Sequence, residues 1–254
     1  MLHIVPLPAF SDNYIWTLRR GRHAVVVDPG DAAPVKDYLA REGLALEAIL
    51  ATHHHPDHTG GIAELLALGP VPVYGPRGEP IETMTHPVGQ DDRVELPALG
   101  AAFTVLSIPG HTRAHVAYYG LESLFCGDTL FACGCGRVFE GTPEQMLHSL
   151  QRLAALPDET KVYCGHEYTL ANIRFARAVE PGNAALAERE ARVQALRDAG
   201  KPSLPSTLGE ERRTNPFLRC AEPAVVDSAN KYLGARLAEP AKVFAAIREW
   251  KNRF

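Results

Sequence analysis

Seven consecutive positions, Thr52-His-His-His-Pro-Asp-His58, lie between an apolar stretch and a helix-like one, and few folds can seat so many imidazoles together. Alternate side chains of an extended segment share a face, so His53 and His55 can chelate one ion. Pro56 favours that geometry, because the residue before a proline is driven out of the helical region. A turn after Pro56 would aim Asp57 and His58 elsewhere, towards a second ion. The spacing differs from the helical His-Glu-x-x-His pattern, whose two ligands lie four apart. A merely polar loop would account for one solvated histidine, but this cluster at a strand-to-helix junction reads as a metal site.

Three later positions repeat the setting. His111 sits in Ile108-Pro-Gly-His-Thr112, Asp128 in Phe125-Cys-Gly-Asp-Thr129, and His166 in Tyr163-Cys-Gly-His-Glu167. Each directly follows a glycine at the end of an expected strand, where α/β sheets collect site residues. With the first cluster they make five histidines and two aspartates, more than one tetrahedral ion can use. An aspartate shared between two ions absorbs the surplus, and the inference is a two-metal site.

The first 166 residues alternate β-branched runs with turn signals. Strands are expected at 23–28, 44–51, 71–74, 103–108, 116–119, 124–126 and 161–164. Helices are expected at 33–42, at 60–68 with Thr59 as N-cap, and at 143–153. The stretch before His23, with prolines at 6 and 8, is assigned no element. Past His166 the pattern turns helical, at 170–179, 183–199, 222–233 and 241–251. A chain of 254 residues holds one to two domains. The expected division is 1–166, an α/β metal-binding catalytic domain, and 167–254, a smaller helical substrate-binding domain.

Charge narrows the partners. Twenty-six basic and 30 acidic residues give −4, which argues against nucleic acid. No apolar run approaches the ~18 residues of a membrane span. The N-terminal stretch lacks the charged start and unbroken apolar run of a secretory signal. Five cysteines without scaffold spacing suit a reducing compartment. A cytoplasmic monomer acting on a small molecule is the expectation.

At this point the chain resembles the metallo-β-lactamase superfamily and, within it, the glyoxalase II or hydroxyacylglutathione hydrolase family. The motif His-x-His-x-Asp-His falls at 53–58, and the downstream ligands at 111, 128 and 166. The resemblance implies an α/β fold, a four-layer αββα sandwich followed by a small helical C-terminal domain. It also implies that His53, His55 and His111 hold one ion, Asp57, His58 and His166 the other, with Asp128 bridging. Zinc is the default metal, while iron and manganese suit the same ligands.

Substrate assignment rests on other segments. Phe131-Ala-Cys-Gly-Cys-Gly-Arg-Val-Phe-Glu-Gly-Thr142 and Cys164-Gly-His-Glu-Tyr-Thr169 are similar to family segments that meet glutathione. Thr214-Asn-Pro-Phe-Leu-Arg219 and the ending Ile247-Arg-Glu-Trp-Lys-Asn-Arg-Phe254 resemble its helical domain. Phe139 stands where the family commonly has tyrosine, Arg137 where lysine is common, and Ala114 where glycine is frequent.

The implied reaction is attack of a metal-activated water on a thioester carbonyl, with Asp57 and Asp128 orienting that water. The substrate would be an S-(2-hydroxyacyl)glutathione such as S-D-lactoylglutathione, giving D-lactate in the second step of methylglyoxal detoxification. Glutathione carries two carboxylates, so cations are expected around it: Arg137, Arg248 and Lys251, with Tyr168 adding a hydroxyl and Phe139 an apolar wall. Arg248 and Lys251 are three apart on a helix whose apolar stripe is Val243, Phe244, Ile247 and Trp250, so they share one face. Asp28 could partner a metal-bound histidine or cap its own turn. The other histidines (3, 23, 54, 86, 115 and 148) are expected in surface or supporting roles. Cys133 and Cys135 are expected as buried small hydrophobes. Competing functions are a persulfide dioxygenase, a lactonase or other hydrolase of the same fold, and a catalytically silent metal-binding module.

Overall fold

Ala24 to Val27 is buried on every side chain, which a strand achieves only with a layer on each face. The computed structural model describes residues 1–254 as two compact units, residues 1–107 with 112–127, and residues 108–111 with 128–254. In the first unit a mixed sheet orders its strands β1 (His3–Ala9), β2 (Asn13–Arg20), β3 (His23–Val27), β4 (Ala45–Leu50), β5 (Val73–Pro76) and β6 (His86–Val88). The first three pair antiparallel, and β3 to β6 run parallel.

Parallel neighbours need crossovers, and helices supply them. Helix α1 (Ala32–Glu42) joins β3 to β4, while α2 (Pro56–Thr59) and α3 (Ile62–Leu66) lie between β4 and β5. Asp31 caps α1 by accepting from Ala33 N, and Gly43 ends it at φ +62°. Val26, Ile49 and Val73 from adjacent strands pack with Val35, Leu39, Ile62 and Leu65 of the helices.

A second set of strands, β7 (Arg93–Leu96), β8 (Ala101–Ser107), β9 (Val116–Gly120) and β10 (Ser123–Gly127), is antiparallel in the order β10-β9-β8-β7. Phe103 and Phe125 meet edge-on within it, centroids 5.7 Å apart. The β9–β10 turn consists of Leu121 and Glu122, both at positive φ (+53° and +55°), a type I′ arrangement without glycine or asparagine.

The second unit holds the hairpin β11 (Leu130–Phe131) and β12 (Gly134–Cys135), the antiparallel pair β13 (Lys161–Cys164) and β14 (Ser206–Thr207), and the remaining helices. These are α4 (Pro143–Ala154), α5 (Thr169–Val179), α6 (Ala184–Asp198), α7 (Leu208–Thr214), α8 (Pro223–Leu233) and α9 (Pro240–Arg253). Thr142 opens α4 with a capping box to Gln145. A buried polar network ties α6 to α7: Arg189 Nη2 lies 2.5 Å from Glu211 Oε1, and Arg189 Nη1 donates to Thr214 Oγ1 at 2.6 Å. Glu211 Oε2 also accepts from Cys133 N at 2.8 Å, fixing the tip of the β11–β12 hairpin.

Strands β6, β7, β11, β12 and β14 lie outside every expected strand, and three further differences have clear physical causes. The N-terminal segment forms the β1–β2 hairpin despite Pro6 and Pro8, because β1 is an edge strand, where a missing N–H leaves no neighbour unpaired. Only α3 at 62–66 forms within the helix expected at 60–68, and the expected N-cap, Thr59, instead ends the preceding α2. Its hydroxyl donates back to His54 O and His55 O, at 3.2 and 3.1 Å. Helix α7 has no counterpart among the expected helices, because Leu-Gly-Glu-Glu-Arg-Arg-Thr lacks an apolar period.

Candidate functional site

Strand β4 delivers the 52–58 segment to the end of the first sheet. His55 is extended (φ −58°, ψ 143°) and Pro56 opens α2, so the proline divides the segment in two. Before it, His53 Nε2 and His55 Nδ1 converge to 3.1 Å. After it, His58 Nε2 lies 3.4 Å from Asp57 Oδ2.

Neighbouring residues hold each of these groups. Asp28 Oδ2 lies 3.1 Å from His58 Nδ1, and the same carboxylate accepts from Thr52 N and Thr52 Oγ1, both at 2.7 Å. Asp28, His53 and His58 together bring their donor atoms within 4.8 Å of one another. Asn13 Nδ2 donates to Asp57 Oδ2 at 3.1 Å and to Asp57 O at 3.2 Å. His115 is buried and stacks on His53 at 4.5 Å, nearly parallel. Gly30 lets the backbone of Asp57 approach, for a Cβ there would stand 1.9 Å from Asp57 O.

A fourth support was invisible in the sequence. Glu79 accepts from His54 N (3.1 Å), His54 Nδ1, Thr112 Oγ1 (2.7 Å) and Ala114 N (2.9 Å). Burial pushes this carboxyl up, but the bonds from Thr112, His54 and Ala114 outweigh it and hold the group below the usual carboxylate range.

In the second unit Asp128 Oδ2 lies 3.3 Å from His166 Nε2 and 3.6 Å from His111 Nε2. His111 Nδ1 is 2.8 Å from Arg137 O, so that nitrogen carries the proton and Nε2 keeps its lone pair for a cation. His166 stacks on Tyr168 with centroids 4.7 Å apart, and Phe131 meets both rings edge-on. Gly136 permits this crowding, since a Cβ would fall 1.8 Å from Asp128 O. Imidazole nitrogens and carboxylate oxygens, several of them here steadied by an outer partner, are the donors of divalent cations such as zinc, iron or manganese. The seven expected ligands thus fall as His53, His55, Asp57 and His58 in the first unit, and His111, Asp128 and His166 in the second.

A cavity of about 420 Å³ opens beside His111 and Asp128 in the second unit. Arg137, Phe139 and Tyr168 line it, as do Arg248 and Lys251 from α9. Phe139 is 60% exposed and its ring lies 5.3 Å from that of His111. Arg248 is buried, donates Nη1 to Cys135 O at 2.8 Å, and sets its guanidinium 5.1 Å from the centre of the Phe217 ring. Burial and the adjacent Arg248, with smaller contributions from Arg174 and Arg137, lower Lys251 to about 8. Cys133 and Cys135 are buried, and burial pushes the Cys133 thiol up to about 12.

These features define a metal-dependent hydrolase class. The family model described as the metallo-beta-lactamase superfamily matches residues 10–166, and one described as the hydroxyacylglutathione hydrolase C-terminus matches 167–254. A hydroxyacylglutathione hydrolase of Nitrosomonas europaea is 54% identical over 254 residues, covering all of this chain and 97% of the relative. The chain belongs to the hydroxyacylglutathione hydrolase (glyoxalase II) family of that superfamily. Among solved structures, ETHE1 from Myxococcus xanthus has a TM-score of 0.65 at 25% identity, covering 99% of this chain and 98% of that one. TTHA1623, solved in a di-iron-bound form, scores 0.60 at 28% identity over 85% of this chain and all of that one. The expected fold class holds: an α/β sandwich with two sheets over the superfamily segment, followed by a helical C-terminal region. No helix is long and apolar enough to cross a membrane.

Proposed function

We propose that the protein hydrolyses S-(2-hydroxyacyl)glutathione, such as S-D-lactoylglutathione, to glutathione and a 2-hydroxy acid such as D-lactate. In a cell this would be the second step of methylglyoxal detoxification, carried out by a cytoplasmic monomer. Family membership over the whole chain supports the reading. The observation that carries it is one cavity holding both a metal-competent pair, His111 and Asp128, and the basic side chains of Arg137, Arg248 and Lys251.

On this reading His53, His55 and His111 would hold one divalent ion and Asp57, His58 and His166 a second, with Asp128 a further ligand available to either. When bound, the ions would supply a water acidified to a pKa of roughly 7 and a Lewis acid for the carbonyl. The chain's own groups do the rest. Asp57 and Asp128 accept the hydrogens of the attacking water and aim its lone pair. Lys251 and Arg137 draw in the glutathione carboxylates, while Arg248 steadies the β12 wall and adds charge behind it. Tyr168 offers a hydroxyl, and Phe139 covers the cavity mouth. The leaving thiolate, whose acid has a pKa of roughly 8.5, departs without a strong general acid. On the same reading, residues 1–166 act as the metal-binding catalytic domain and 167–254 as the glutathione-binding one. Zinc is the expected ion, with iron or manganese able to replace it.

The test is release of free thiol from S-D-lactoylglutathione by protein whose metal content is measured in the same preparation. Two ions per chain with thiol release is expected, and Asp57→Ala should lose about one ion and most of the rate. Fully metallated protein that released no thiol, or that consumed oxygen and made sulfite from glutathione persulfide, would overturn the proposal.

A further inference from the structure

Glu79 belongs to no expected ligand set, yet its carboxylate is almost wholly buried, 1% exposed at the side chain. Burying a charge costs several kcal/mol unless donors surround it, so such a group persists where those donors matter. Its donors come from two places only a few residues from metal-competent side chains. His54 N and Nδ1 lie between His53 and His55, and Thr112 Oγ1 and Ala114 N follow His111 in the chain. Gly78, at φ +100°, makes the turn that brings Glu79 inward.

We propose that Glu79 is a positioning residue, clasping the loop of His53 and His55 to the segment that follows His111 and so presetting that side of the centre for one ion. The inference rests on the ligand partition given above. His54 stands between His53 and His55 in the chain, and its ring lies 5.0 Å from that of His55. Anchoring His54 at both its backbone and its ring therefore sets the direction of His53 and His55 together. The second arm, through Thr112 and Ala114, fixes the chain immediately beyond His111. Asp57 and His58 have other supports, Asn13 and Asp28, so the clasp should act on one ion and not on both.

The test uses metal-free full-length protein titrated with zinc against a chelator of known affinity, which reads the two binding steps separately. Glu79→Gln keeps the size but sets an amide N–H against the His54 N–H, breaking one arm. One zinc affinity should fall about 10- to 100-fold, and the other should stay at the wild-type value. Thr112→Val, which removes a single donor, should weaken the same ion by less. Glu79→Asp, too short to span both arms, should reproduce the selective loss and serves if the glutamine variant does not fold. Wild-type affinity at both steps in a folded Glu79→Gln protein, or equal weakening of both, would overturn the role. A wild-type protein that bound only one zinc would instead overturn the ligand partition.

Discussion

His58 Nδ1 sits 3.1 Å from Asp28 Oδ2, and the two side chains are 1% and 4% exposed. With that nitrogen committed to the carboxylate, Nε2 is the only ring atom left for a cation. Asp28→Asn keeps an acceptor for only one of Thr52 N and Thr52 Oγ1, because one oxygen becomes a donor, and it removes the negative charge facing His58 Nδ1. Metal affinity should drop about 10- to 100-fold, read by chelator competition. An unchanged affinity would mean that Asp28 only shapes its turn.

Lys251 sets a pH dependence. Its amine is charged below about 8 and neutral above, the shift coming from burial first and Arg248 next. Only the charged form attracts a carboxylate. KM for the glutathione thioester should therefore be flat below pH 8 and climb above it, by up to about tenfold per unit if that contact is required. In Lys251→Gln the inflection should vanish and KM stay high throughout. Arg137→Leu removes a like charge and should move the inflection to higher pH. A KM profile flat from pH 7 to pH 10 would remove Lys251 from substrate binding.

Removing the guanidinium of Arg189 strands Glu211 as a charge in the interior. Arg189→Met should cost about 3–5 kcal/mol in denaturant unfolding. Adding Glu211→Leu should recover only part of this, since Cys133 N would lose its acceptor at a cost of about 1–3 kcal/mol. Full recovery in the double variant would show that the hairpin tip does not need that bond.

The turn Leu121-Glu122 adopts a conformation that asparagine and glycine favour. Replacing the pair by Asn-Gly should raise stability by about 1 kcal/mol, measured as a shift in unfolding midpoint. Activity should be unaltered, because the turn lies outside every site residue named above.

How much could be read from the residues follows their physics. The run His23-Ala-Val-Val-Val27 announced a buried strand, and the helical texture past His166 announced α6, which Asn183 caps in the structure. The first hairpin hid behind Pro6 and Pro8, since an edge position is a property of the sheet and not of the segment. The 60–68 stretch showed one helical pattern with Thr59 as its cap, while in the structure the Thr59 hydroxyl bonds back to His54 O and His55 O and closes a separate short helix before it.

The metal-competent residues stood out through spacing and repeated glycines, which are local signals. Their supports did not. Asp28 was visible as an alternative, at the end of a strand, but Asn13 and Glu79 lie 44 and 25 residues from the groups they hold. Nothing in Ser-Asp-Asn-Tyr or Gly-Glu-Pro distinguishes them from ordinary loop polarity. Only the folded chain brings carboxylate and donors together.

All five cysteines are buried as free thiols, and burial raises those at 133, 135, 164 and 220. A catalyst that handles activated esters of sulfur risks capturing the acyl group itself, by exchange onto any nearby thiolate. Here Cys135 borders the cavity but stays protonated and shielded, so the chain offers its own cargo no competing sulfur on which to become stranded.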